Sequence, residues 1–344
     1  MADNSSQFQC DTPESWEIAR GYAGLLGAIP ASFSSALRGL IADNEREGKI
    51  SSVTRYNAMR LIKGRNLKTP YYYALLTYKP SAAEDQEFLS DDYLLKAFRP
   101  IDVAAIFGLV YLYKKAKKLC DPDEWQYIIP SLIQGVEIGG HVGIAISKVG
   151  MPGGLFAWAL RHVALVSFVR HNRKHFQEYR RNLKNAGTIF DLNAQMHAWG
   201  CTDLQISSIL LQSLGFGVDY SNSYRSGMAQ EIDPDRTEVS TSPFKVADIW
   251  IKSLLKDASV PNIIHDSSYY PPEELVKTLK NRSKDFLEKG SKHSWLDKGK
   301  DDMSPRSTPQ LFEGGVDAEE VVTAADEPGD QSEEELREVE TQIA

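Results

Sequence analysis

Two histidines are the residues best placed to do chemistry in this chain. His162 stands inside "FAWALRHVALVSF" (Phe156 to Phe168), and His141 precedes it by 21 residues in "GGHVGIAIS". A neutral imidazole is the side chain most ready to bind a divalent metal near neutral pH. Two imidazoles and an acid from downstream, Asp203 or Asp248, would make a centre that polarises phosphate and activates water. The residue after His162, however, is Val163, which has no lone pair. The anionic ligand that such a cation needs is missing at that place. We therefore expect His162 to be a packed core residue with a satisfied ring, and no metal or cofactor to be held. Glu137, four residues before His141, is placed to orient that imidazole. A literal His-Asp pair, His265-Asp266, follows Pro261 and reads as a turn with Asp266 in a capping role.

A second constellation is basic. "RHNRKHFQEYRRNLK" carries Arg170, Arg173, Lys174, Arg180, Arg181 and Lys184 against one glutamate, with His171, His175, Phe176 and Tyr179 interleaved. Such a run can hold phosphates, nucleotides or an acidic protein segment, or it is the solvated face of a helix. Weak polyanion or nucleotide binding is the expectation that follows. Other chemistries find no support. There is no GxxxxGK[ST] loop, no GxGxxG after a strand and no GxSxG elbow. Cys10, Cys120 and Cys201 are far apart, which suggests neither a disulfide framework nor a cysteine zinc site.

The elements that must position these residues are helical. Apolar residues recur at helical spacing through the first 300 positions, and alternating strand-like runs are nearly absent. Thr12-Pro13 is a helix start, and Phe33, Leu37, Leu40 and Ile41 share one face of the next helix. A Tyr-rich, less regular region precedes a Pro100 break and a buried helix. Asp121 and the acids after it suit the dipole of a further helix. Later helices are expected at 188–199, 202–214, 244–255 and 272–287. Val103 to Tyr113 is too short to span a bilayer, and Ile138 to Val169, with its charges and a "GMPGG" break, reads as two core helices joined by a turn. No contact with a membrane is expected.

The order of segments resembles the HDOD family, the HD-related output domains of bacterial signalling proteins. "LLGAIPASFSSALRGL" is similar to the family's proline-marked entry into its first helix, keeping Pro30. "RPIDVAAIFGLVYL" is similar to a central helix start, "GGHVGIAIS" to a His-Ser helix start, and "FAWALRHVALV" to a Gly-Leu-Leu-His-Asp-Ile-Gly segment. "HAWGCTDLQISSILLQSLGFG" follows a later pattern in outline, with Asp203 where that pattern has His. "PFKVADIWIKSLL" keeps the Ala247-Asp248 of a late helix. The resemblance covers roughly residues 20 to 260 and assigns no elements to residues 51–91. It implies an all-α, orthogonal multi-helix bundle of HD-superfamily type in which His141, His162, Val163, Asp203 and Asp248 hold vestigial positions. It also implies a non-catalytic regulatory or protein-interaction role with an unknown signalling protein as partner. The alternatives are a divergent metal-dependent HD-type phosphohydrolase built on His141, His162 and Asp203 or Asp248, and a nucleotide or nucleic-acid sensor using residues 170–184.

Charge divides the chain. The formal net charge is −8, yet residues 301–344 hold 14 acidic and two basic side chains, which leaves about +4 on residues 1–300. We expect a disordered N-terminus (1–11), an HDOD-like helical domain (12–296) and a disordered acidic tail (297–344) that cannot bury enough apolar surface to fold. No basic region followed by an apolar stretch opens the chain, so a bacterial cytoplasmic location is the expectation.

Overall fold

A computed structural model describes residues 11–84, 90–232, 241–299 and 302. The expected 1–11 and 297–344 termini fall almost wholly outside these residues. Among the described residues all regular structure is helical, as the periodicity predicts, and no strand occurs.

The helix ends follow from local chemistry. α1 (Pro13–Gly24) starts at Thr12, whose hydroxyl accepts from the Ser15 amide, with Pro13 at the first helical position. α2 (Ala31–Arg46) buries Phe33, Leu37, Leu40 and Ile41, the face read from the sequence. α3 (Ser52–Ile62) is followed by α4 (Arg65–Tyr78), α5 (Ser81–Glu84) and α6 (Asp91–Lys96). The Tyr-rich stretch is therefore helical, although Pro70 lies inside α4. Its apolar side outweighs the lost backbone bond: Tyr71, Ala74 and Leu75 are wholly buried.

α7 (Pro100–Leu119), α8 (Pro122–Ala145) and α9 (Gly150–His171) form the centre. α9 packs against α7 and α8 and also against α12 (Asp203–Leu214) and α14 (Pro243–Asp257). Its residues Met151 to Val169 are all buried. A helix apolar on every side belongs inside a large core or a bilayer. Here the surrounding helices supply the apolar surroundings, so α8 and α9 are core helices of a folded body although both are long and apolar enough to cross a membrane.

Two expectations about this hairpin change. "GMPGG" does not separate the helices; the turn is Ile146–Val149, and Gly150 to Gly154 form the first turns of α9. Pro152 is tolerated there because amides in a first helical turn have no internal acceptor. His141 accordingly lies in the last turns of α8, and His162 in the middle of α9.

Glycine sets the spacing of the pair. A Cβ on Gly139 would stand 2.3 Å from the Gly154 carbonyl oxygen, and one on Gly143 2.2 Å from that of Gly150. The two backbones touch. Gly135, one turn further back, leaves the room that the Trp158 ring fills.

α10 (Arg173–Ala186), α11 (Leu192–Trp199), α13 (Gly217–Ala229) and α15 (Glu273–Lys289) complete the shell. Gly187, Gly200 and Gly215 end α10, α11 and α12 in the left-handed conformation that glycine adopts without steric cost. Asp297, the first residue of the expected tail, is tied to the body: its carboxylate accepts from Tyr113 and Lys117 of α7.

Candidate functional site

α8 and α9 run antiparallel, and their facing residues fix the level of each histidine. His162 faces Ser131, and Gly139 faces Gly154. His141 is ten residues beyond Ser131 on α8, a displacement of about 15 Å along the axis at 1.5 Å per residue. The structure therefore does not bring the two imidazoles together. Among the described residues no three His, Cys, Asp or Glu side chains are grouped to hold a metal ion.

His162 is buried, and both ring nitrogens are used. Nδ1 lies 2.9 Å from the Trp158 carbonyl, which can only accept, so Nδ1 carries the proton. Nε2 then accepts from the Ser131 hydroxyl at 3.0 Å. The ring stacks on Trp158 and meets the edge of Phe190. Burial, reinforced by the Arg161 charge, lowers its pKa to about 4. The ring is neutral near pH 7. Val163 beside it is fully buried in the apolar core.

Arg161, one residue before His162, carries the charge of this region. Its Nε and Nη2 donate to the two oxygens of Asp203 at 2.5 and 3.2 Å, a forked pair with both side chains out of water. The guanidinium carbon lies 3.7 Å from the Phe190 ring centroid, so the cation is stacked as well as paired. Asp203 starts α12 inside a capping box of Thr202 and Gln205. Its amide donates to Gln195 Oε1, and Gln195 Nε2 donates to the Tyr179 hydroxyl. Burial pushes the Asp203 carboxyl up, and the Arg161 charge and hydrogen bonds oppose that push. Asp248 of α14 is also buried and contributes to holding Arg161 charged. Its own carboxylate accepts from Lys252 at 2.8 Å.

The other end of the hairpin is different. Arg282 of α15 sets Nη1 at 3.2 and 3.0 Å from the two nitrogens of His141, and whichever nitrogen lacks a proton accepts. Burial and the neighbouring guanidinium lower the His141 pKa to about 3. Tyr78 meets the same imidazole edge-on. Glu137 does not orient His141 as its spacing predicts; its carboxylate accepts from Ser291, and burial pushes its pKa up.

The basic segment forms α10, and two of its six cations are consumed within the fold. Arg173 pairs with Asp121 at 2.7 Å and Asp123 at 2.8 Å, and Arg180 pairs with the buried Glu124 at 3.0 Å. These acids, expected to serve the α8 dipole, also dock α10. Arg170 is partly buried at the end of α9, while Lys174, Arg181 and Lys184 are exposed. His265 is exposed too, and Asp266 caps the short 3-10 turn Ser267–Tyr269 by accepting from the Ser268 amide, the capping role expected of it.

Arg161 is the residue that sequence reasoning passed over. A lone arginine inside the apolar run Leu155–Val169 was the available signal, because a buried charge must be paired. Comparisons with family models, with curated proteins and with solved structures find no match to this chain.

Proposed function

We propose that the protein is a non-catalytic regulatory module of HDOD type that acts by binding another protein, with its helices in the HD-type arrangement. The observation that carries this reading is the state of the polar groups around His162. A reacting group must be free to meet its substrate, whereas His162 uses both nitrogens within the core and Asp203 is closed by Arg161. The guanidinium lies among Asp203, Asp248 and the His162 ring and supplies the positive charge that a metal would otherwise bring. In this reading the region is a structural keystone, and function lies on the surface.

The test has two arms. A pull-down from the native cell with the full chain as bait is expected to recover a defined partner. A phosphodiester and phosphomonoester assay of the same protein with manganese, iron or zinc is expected to show no turnover that His162→Ala removes. Metal-dependent hydrolysis lost on that substitution would establish the phosphohydrolase alternative instead.

A second reading, polyanion binding by α10, is favoured by the exposure of Lys174, Arg181 and Lys184. Three cations predict weak affinity that falls with salt.

A further inference from the structure

The Tyr-rich stretch and residues 291–302 meet in a contact that the His162 region does not explain. α4, α7 and α8 leave a groove whose polar groups are Tyr73, Tyr78, Tyr113, Lys117 and Glu137, and residues 291–302 lie across it. The segment has almost no regular structure of its own, only the 3-10 turn Trp295–Asp297. It is held through side chains instead.

Ser291 donates to the Glu137 carboxylate. Trp295 is 1% exposed, and its indole N–H donates to the Tyr78 hydroxyl at 3.0 Å. That hydroxyl in turn donates to the Val136 carbonyl. Leu296 is equally buried. Asp297 accepts from the Tyr113 hydroxyl and from Lys117 Nζ. Lys298 lies over the Tyr73 ring, and the Tyr73 hydroxyl donates to the Asp302 carbonyl. A buried tryptophan, an apolar neighbour and an acid at the rim form the pattern of a peptide anchored in a groove.

The attachment is also built to be reversible. The segment leaves α15 at Gly290, φ +76°, and passes through Ser294 at φ +44°, a left-handed conformation that costs a non-glycine residue energy. The Lys117–Asp297 pair at the rim is half exposed, and such pairs contribute little.

We infer that this is a peptide-binding groove, held in cis by the chain's own Trp295-Leu296-Asp297. Its partner in trans is a peptide segment of the same chemistry: a tryptophan, an apolar residue and an acid in succession. The inference rests on the interaction-module reading and names where the partner docks. The cis segment competes with the partner and lowers its apparent affinity by the fraction of time the groove is open.

The test uses the full chain and a fluorescein-labelled synthetic peptide of residues 290–302, read by anisotropy. Asp297→Lys places two cations side by side at Lys117 and loosens the cis segment. The peptide is expected to bind this variant about ten-fold more tightly than the unaltered protein. A peptide with alanine in place of the tryptophan is expected to bind neither. Equal affinity for the two proteins, or equal binding of the tryptophan-free peptide, overturns the inference. So does a peptide-independent dimer of the variant, which assigns the groove to a second copy of the chain.

If Asp297→Lys does not fold, hydrogen exchange on the unaltered protein decides. Amides of residues 291–299 exchanging about ten-fold faster than those of Leu279 to Phe286 in α15 support a docked segment. Exchange of both only through global unfolding makes the segment part of the core and rejects the proposal. A pull-down that recovers a partner while the peptide binds neither protein rejects the groove and leaves the module reading standing.

Discussion

The two ends of the α8–α9 hairpin each hold a histidine next to an arginine, and they solve the same electrostatic problem differently. At the His162 end, Arg161 faces a carboxylate and the imidazole faces a carbonyl and a hydroxyl, so every group meets its complement. All of these partners lie on helices of the central body. At the His141 end, Arg282 faces the imidazole itself, and Glu137 relies on Ser291 from the last described segment. The first arrangement is closed by the core. The second is completed only when α15 and residues 291–302 lie in place. A buried polar network adds rigidity when complete and becomes a liability when a partner leaves, so the His141 end is the end at which the molecule can change.

Breaking the hairpin itself should have the largest effect, because it removes the frame for both ends. Gly154→Val adds a side chain whose Cβ would stand 1.9 Å from the Gly139 carbonyl, which is backbone and cannot move aside. We expect a loss of about 3 kcal/mol or more, or failure to fold, by urea denaturation. A loss below about 1 kcal/mol would show that the helices separate readily.

Next comes the buried ion pair. Arg161→Met and Asp203→Asn should each cost about 3–5 kcal/mol by leaving a buried group uncompensated, while Arg161→Met with Asp203→Leu should be far less costly than the sum. A double-mutant cycle checks this, and additive losses would mean that the two residues stabilise separately.

The histidines sharpen the contrast by about 1–3 kcal/mol. His162→Leu strands the Ser131 hydroxyl and should destabilise by that amount. His141→Leu relieves Arg282 of a poor partner and should cost less. His162 also has a pH signature. Its folded pKa, about 4, lies below the unfolded value near 6.5, so the unfolded chain binds more protons between these limits. The stability it contributes is complete above about pH 6.5 and is lost as pH falls toward 4. His162→Leu should flatten that limb of the stability–pH curve, and an unchanged limb would assign the effect to other groups.

The smallest effect belongs to the surface. Replacing Lys174, Arg181 and Lys184 together by glutamate should change stability by no more than about 0.5 kcal/mol while abolishing any salt-sensitive polyanion binding. Arg173→Ala, which frees Asp121 and Asp123, should loosen α10 measurably more than the triple exchange does.

Most of the helices were legible in the chain itself. The Thr12-Pro13 start, the acidic turn after Asp121, the Thr202-to-Gln205 box and the glycines at 187, 200 and 215 act through hydrogen bonds and backbone angles within a few residues. Such interactions are written locally and survive any tertiary arrangement. The same holds for Val163, whose lack of a lone pair is a property of the residue alone. What the chain could not declare were pairings between distant segments. Arg161 meets Asp203 across 42 residues and Ser291 meets Glu137 across 154, and two of the six cations read as a binding run turned inward to α8. Which charges meet depends on how closely helix faces approach, and the Gly139–Gly154 backbone contact sets that distance only once the core has closed.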